Sequence, residues 1–283
     1  MACLTYQSSA YKILSCLCFA SMNGVVKSLD LPSLQIVAME SLLGALILWP
    51  FCPKFPLSLL KNPLYWIRAG VAFVGMMAWV YSLKTLPLFQ TVAMGFLSPF
   101  ITVIGAYLCF QEPLTSKRIS AIGLATLAGM CLSYGPRLLC IEFSRADLFY
   151  LAPLVAPALF ALSNLISKGL LAHTTPLTLT FSLFFTLAIG LLFTYQEWTY
   201  PQDEDMIKVC VLGILTAIAH LSLHSAMKYS DLTLLLPLGV MRLVAASLIG
   251  WVFFCEVPTW WTAWGLVCTG LAFFLLKPTR TPL

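Results

Sequence analysis

The sequence predicts an all-α integral membrane protein of ten transmembrane helices, arranged as two inverted five-helix repeats. Three observations carry that expectation. The 283 residues are 60% hydrophobic and 10% charged, with a mean hydropathy of +0.92, which is too apolar for a soluble domain. Ten apolar runs are long enough to cross a hydrocarbon layer of ~30 Å at about 20 residues each. Finally, residues 81–112 and 225–256 align without a gap, Lys84 on Lys228, Gly95 on Gly239 and Glu112 on Glu256. Each copy reads as a span with a charge at either water boundary.

The repeat extends upstream. Asn23-Gly-Val-Val-Lys27 is matched by Asn164-Leu-Ile-Ser-Lys168, with Asn and Lys four apart on one helical face in both. The chain thus divides into homologous halves, 1–136 and 147–283. With an odd number of spans in each, the second half enters the bilayer from the opposite side, the inverted plan found in many secondary transporters.

In chain order the spans are expected at 11–29, 32–51, 64–83, 86–110, 117–134, 147–171, 176–195, 206–227, 232–255 and 259–277. Prolines punctuate the breaks at Leu31-Pro32, Asn62-Pro63, Glu112-Pro113, Gly135-Pro136, Thr175-Pro176 and Val257-Pro258, where a missing donor costs nothing. The first run could pass for a signal peptide, but it holds its own copy of the Asn/Lys feature and is read as a mature helix. Pro99 and Pro237 fall inside the fourth and ninth spans, where a kink is the default and a gate the alternative. Ala121, Ala125 and Gly129 form a small-residue ridge on the fifth, suited to close helix packing.

Orientation follows from Lys and Arg. With a cytoplasmic N-terminus the inner side collects Lys12, Lys54, Lys61, Arg68, Lys117, Arg118, Lys168, Lys228, Lys277 and Arg280, ten against five outside, so both termini are placed in the cytoplasm. The net charge of +5 comes from scattered residues that form no phosphate-tracking stripe, which argues against a nucleic-acid partner. Most of the ten cysteines lie in apolar runs without a CxxC pair, so neither a disulfide framework nor a metal site is read.

A charge in mid-bilayer costs at least ~2.5 kcal/mol and needs a partner or a wet cavity. Glu40 lies about eight residues into the second span and Arg242 about ten into the ninth, some 12 to 16 Å deep at a 1.5 Å rise. They are expected to pair, facing either a cavity or only one another. His220, His224 and Lys228 share a face of the eighth span; the zinc-protease pattern is absent, leaving a cavity-lining stripe or interhelical hydrogen bonds. Asn23 and Asn164 are either interhelical glue or part of a site near the pseudo-two-fold centre. Neither a P-loop, a dinucleotide fingerprint, a nucleophile motif nor a cofactor site is read. An integral-membrane enzyme would need clustered ionisable groups near one interface, whereas these are few and spread over several depths.

Leu86-Pro87-Leu88, Phe96-Leu97-Ser98-Pro99 and Phe110-Gln111-Glu112-Pro113-Leu114, with Met241-Arg242-Leu243 and Phe254-Cys255-Glu256-Val257-Pro258 in the second half, resemble the EamA-type drug/metabolite transporters over nearly the whole chain. The resemblance implies alternating access to a central cavity lined by the first, third, fourth, sixth, eighth and ninth spans. Asn23, Trp79, Phe96, Ser98, Asn164, His220, His224 and Arg242 fall on those spans. It further implies a bacterial inner membrane, lipid as surroundings, a monomer or homodimer, and a small-molecule substrate. Relatives commonly carry arginine in the second span where this chain has Glu40. One branch exchanges S-adenosylmethionine, and an acid beside Arg242 suits such a zwitterion, with Trp79 or Phe96 to stack on a purine; an amino-acid or other metabolite exporter is the alternative.

Overall fold

The computed structural model describes residues 2–52, 57–95, 97–112, 115–116, 119–120, 123–124, 127, 152–192, 198–235, 237–256 and 260–275. Among them the regular structure is entirely helical. The helices are α1 (Ala2–Ser28), α2 (Ser33–Leu48, continued by a 3-10 turn Trp49–Phe51), α3 (Leu57–Leu60), α4 (Pro63–Thr85), α5 (Leu88–Met94), α6 (Leu97–Phe110), α7 (Ala152–Leu170), α8 (Pro176–Leu192), α9 (Asp203–Tyr229), α10 (Leu232–Leu235), a 3-10 turn Pro237–Gly239, α11 (Val240–Phe254) and α12 (Trp260–Leu275).

Four stretches are long and apolar enough to cross a bilayer: Tyr6–Ser28, Ser33–Phe51, Pro63–Thr85 and Asp203–Tyr229. Shorter apolar helices run over Ile101–Phe110, Val155–Leu170, Pro176–Ile189 and Met241–Phe254. The expected fourth span is not one helix, because the chain breaks between α5 and α6 around Gly95, and the ninth is likewise broken between α10 and α11. Apolarity continues through both breaks, which is why composition hides them. Pro99 stands in the first turn of α6, where a proline gives up no helical hydrogen bond. The ridge residues Ala121, Ala125 and Gly129 lie outside the described residues.

Helix ends follow local chemistry. Pro63 opens α4 after Asn62, whose side chain accepts from Leu64 N at 3.0 Å. Asp203, Glu204 and Asp205 face the positive end of α9, and Lys228 its negative end. α6 and α11 close alike: Gln111 (φ 54°) and Cys255 (φ 52°) take the left-handed conformation, and the next amide reaches back six residues, Glu112 N to Ala106 O at 3.4 Å and Glu256 N to Gly250 O at 3.0 Å.

Hydrogen bonds fix the helix directions. Ser8 Oγ donates to Ala226 O and Lys208 Nζ to Ser28 O, so α1 and α9 are antiparallel. Trp79 bonds Asn23 and Lys84 reaches Leu31 O, so α4 runs with α1; Arg68 bonds Ser167 and Gly75 meets Phe160, so α7 runs against α4. α2 packs on α8 and α9, with Gly44 pressed on the Phe184 ring. The polarity of the bundle is that of a protein in lipid: Asn23, Glu40, Arg68, Thr180 and His224 are buried, while Ile67, Leu108, Val252 and Phe253 are exposed.

Candidate functional site

α1, α2, α4, α6, α7, α9 and α11 surround one cavity of about 190 Å³. Each contributes a polar or aromatic side chain from an otherwise apolar helix, so the site is the meeting of isolated residues rather than a contiguous motif. Glu40, Trp79, Ser98, Asn164, His220, His224 and Arg242 all line it. Asn23 is fully buried beside the wall and positions Trp79, accepting its Nε1–H at 3.0 Å on Oδ1. Phe96 lies outside the described residues.

Arg242 is held by rings. Its guanidinium carbon lies 5.0 Å from the Phe19 centroid and 4.9 Å from that of Trp79, two cation–π contacts, and its Nε makes no hydrogen bond among the described residues. Glu40 is 2% exposed, and Oε2 likewise has no partner there. The expected Glu40–Arg242 pair does not form: the ion pairs among the described residues are Lys27–Glu256 and Lys208–Asp205. Depth along two helices is set by sequence position, but contact also depends on azimuth, and here the two groups line the cavity without meeting.

The histidine stripe is split. His224 bonds Thr180 Oγ1 through Nδ1 at 2.6 Å and Arg68 Nη2 through Nε2 at 3.1 Å, whereas His220 sits edge-on between Phe19 (4.9 Å) and Phe184 (5.1 Å), without a hydrogen bond among the described residues. Lys228 leaves the stripe to bond the carbonyls of Leu171 and Thr174. Arg68, read from sequence as an inner-boundary charge, is a correction: it is 1% exposed and lines the cavity. It donates to Ser167 Oγ (2.6 Å), Leu179 O (3.4 Å) and His224. Its place six residues into α4 resembled an interface position; the serines at 163 and 167, one helical face of α7, were the available signal of a polar lining.

Polar clasps close two opposite ends of the bundle. At the end where α1 and α4 finish, Lys27 Nζ bonds Glu256 Oε1 (2.7 Å) and Leu86 O (2.8 Å), and Glu256 Oε1 also accepts Leu88 N (2.8 Å). At the end where α7 and α9 finish, Lys168 Nζ bonds Met227 O (2.7 Å) and Ser230 O (2.6 Å), and Glu112 Oε1 accepts Leu232 N (3.1 Å). In the gapless alignment Leu86 matches Ser230 and Leu88 matches Leu232, so corresponding residues make corresponding bonds.

A helical membrane bundle enclosing a polar cavity is the architecture of a multi-pass carrier. Residues 9–134 match the EamA-like transporter family, so the chain carries an EamA domain in its first half. It is 24% identical over 94% of its length to a riboflavin transporter of Brucella anthropi, covering 96% of that protein, and 22% identical over 95% of its length to the pseudopaline exporter CntI of Pseudomonas aeruginosa, covering 95%. A crystal structure superposes with a TM-score of 0.76 at 16% identity, over 97% of this chain and 96% of the other, which shows a shared fold. The chain is thus similar over nearly its whole length to transporters and exporters of small metabolites.

Proposed function

We propose that this chain is a secondary-active transporter working by alternating access, its halves 1–136 and 147–283 forming two inverted five-helix repeats, ten spans in all, in a bacterial inner membrane with both termini cytoplasmic. Its substrate on this reading is a small zwitterionic metabolite: Arg242 takes a carboxylate, Glu40 an ammonium or sulfonium, and Trp79 and Phe19 the flank of a planar group. The carrying observation is that Arg242 and Glu40 line one cavity without pairing, so each has its charge to offer a ligand. The matched clasps support the inverted repeats, because a duplicated unit facing itself upside down repeats a lysine bond to one carbonyl position (Leu86, Ser230) and a glutamate bond to one amide position (Leu88, Leu232) at opposite ends.

S-adenosylmethionine, exchanged for S-adenosylhomocysteine, carries all three features; amino-acid export uses the first two. A second reading, a riboflavin-like flavin, is favoured by the similarity to the Brucella riboflavin transporter and by the Phe19 and Trp79 rings that both contact Arg242, a cation beside two aromatic surfaces. Proteoliposomes offered labelled S-adenosylmethionine, riboflavin and a mixture of amino acids separate these readings. Saturable S-adenosylmethionine uptake, competed by S-adenosylhomocysteine and lost in Arg242→Met, is expected; uptake of riboflavin alone selects the second reading, and uptake of none refutes both.

A further inference from the structure

Glu40 has an uncompensated charge. Its carboxyl group is walled by α2's packing partners α8, α9 and α4, none of which offers it a countercharge. α8 carries no titratable residue. α9 brings His220, enclosed by the Phe19 and Phe184 rings, and His224, bonded on both nitrogens. α4 brings Tyr65, whose hydroxyl donates to Ser182 O at 2.6 Å, and Arg68, whose donors go to Ser167, Leu179 and His224. Across the cavity, α1 contributes Lys12 and Cys16 and α11 contributes Arg242, none of them in an ion pair with Glu40. An ionised carboxylate so placed, 2% exposed and without a cation within 4.0 Å among the described residues, is strongly unfavourable; it neutralises by taking a proton or a cationic ligand.

We propose that Glu40 is the proton-carrying site of the transport cycle. This rests on the transporter reading above and adds the coupling ion to it. With the cavity closed and empty, the carboxyl is protonated. When the cavity opens to water, or admits a ligand with a cationic group, the proton passes from the carboxyl oxygen to water on the open side and the carboxylate faces solvent or ligand. Closure without a cation requires a proton to be taken back from whichever aqueous side is then accessible. Proton and cationic ligand therefore compete for one carboxylate, which links their movements in opposite directions. The arginines stay charged throughout: Arg242 is supported by two ring faces and Arg68 by three acceptors, so the group that changes charge is the one with no support.

Two measurements test this on the purified full chain, with wild type, Glu40→Gln and Glu40→Asp all checked for monodispersity and equal melting temperature. In the first, infrared difference spectra without ligand are expected to show a protonated-carboxyl carbonyl band in wild type that shifts in Glu40→Asp, is missing in Glu40→Gln and disappears as pH rises. A wild-type spectrum lacking that band at every pH overturns the proposal. In the second, proteoliposomes are given labelled S-adenosylmethionine or a labelled mixture of amino acids, each with a cationic group, under an imposed proton gradient. Wild type is expected to concentrate its substrate at least tenfold and to move protons the opposite way in step with uptake, a counterflow that Glu40→Asp retains, whereas Glu40→Gln loses both accumulation and the substrate-driven proton movement. Equal accumulation by wild type and Glu40→Gln overturns the proposal while leaving the transporter reading intact. Absence of any uptake by wild type overturns the transporter reading, and the infrared result then decides the proton site alone.

Discussion

Replacing Lys27 by methionine should loosen one end of the bundle selectively. Lys27 and Glu256 side chains are 18% and 11% exposed, sheltered enough for their 2.7 Å contact to be worth more than a surface pair. A hydrogen bond to a charged group contributes about 1.5–3 kcal/mol, and the second bond, to Leu86 O, adds about 1 kcal/mol. Part of this is regained by hydration when that end opens, so the net loss is about 2–3 kcal/mol. At 1.4 kcal/mol per factor of ten, the ratio of open to closed at that end rises roughly 30- to 150-fold. A cysteine placed at Met22, which lines the cavity five residues before Lys27 on α1, reports this in a background with the ten native cysteines replaced by serine. An impermeant maleimide added from the Lys27 side should label it correspondingly faster. Adding Glu256→Gln to Lys27→Met should change the rate little, because the two act as one unit. An unchanged rate in Lys27→Met, or strictly additive effects, would refute the clasp.

Arg68→Lys retains the charge but loses the planar fork that reaches Ser167, Leu179 and His224 together; thermal unfolding in detergent should show a loss of about 3 kcal/mol. Gly44→Ala places a methyl 2.8 Å from Phe184 Cδ2, whose ring is fully buried and abuts His220; overpacking of about 1–3 kcal/mol should lower the melting temperature by the same assay. Trp79→Phe leaves a ring over Arg242 but orphans Asn23 Oδ1; titration with the transported compound should show about 1–2 kcal/mol weaker binding, roughly five- to thirtyfold.

The all-helical membrane class was legible because hydropathy and span length act locally, and the correspondence of Lys84 with Lys228, Glu112 with Glu256 and Asn23 with Asn164 was legible as kept spacing in the sequence. The cavity residues were found largely by asking which polar groups have no business in lipid, and Glu40, Asn164, His220, His224 and Arg242 answered that question. What sequence position does not fix is rotation about the helix axis. It therefore suggested a Glu40–Arg242 pair that does not exist, and it joined Lys228 to a histidine stripe that Lys228 leaves for Leu171 and Thr174. Arg68 was misassigned for the converse reason: a cation near the start of an apolar run looks the same whether it reaches outward to water or inward to His224. The lysine clasps were invisible as clasps because their acceptors are backbone carbonyls, which every residue carries.

The aromatic setting of Arg242 has an electrical consequence. A guanidinium fixed by two rings rather than neutralised by an acid is a net positive charge riding on α11 inside the bilayer. Displacement of that helix along the membrane normal does work against the transmembrane field, about 2.3 kcal/mol per 100 mV for a full crossing and a proportional share for a shorter one. Turnover should therefore respond to voltage even with a cargo that carries no charge of its own.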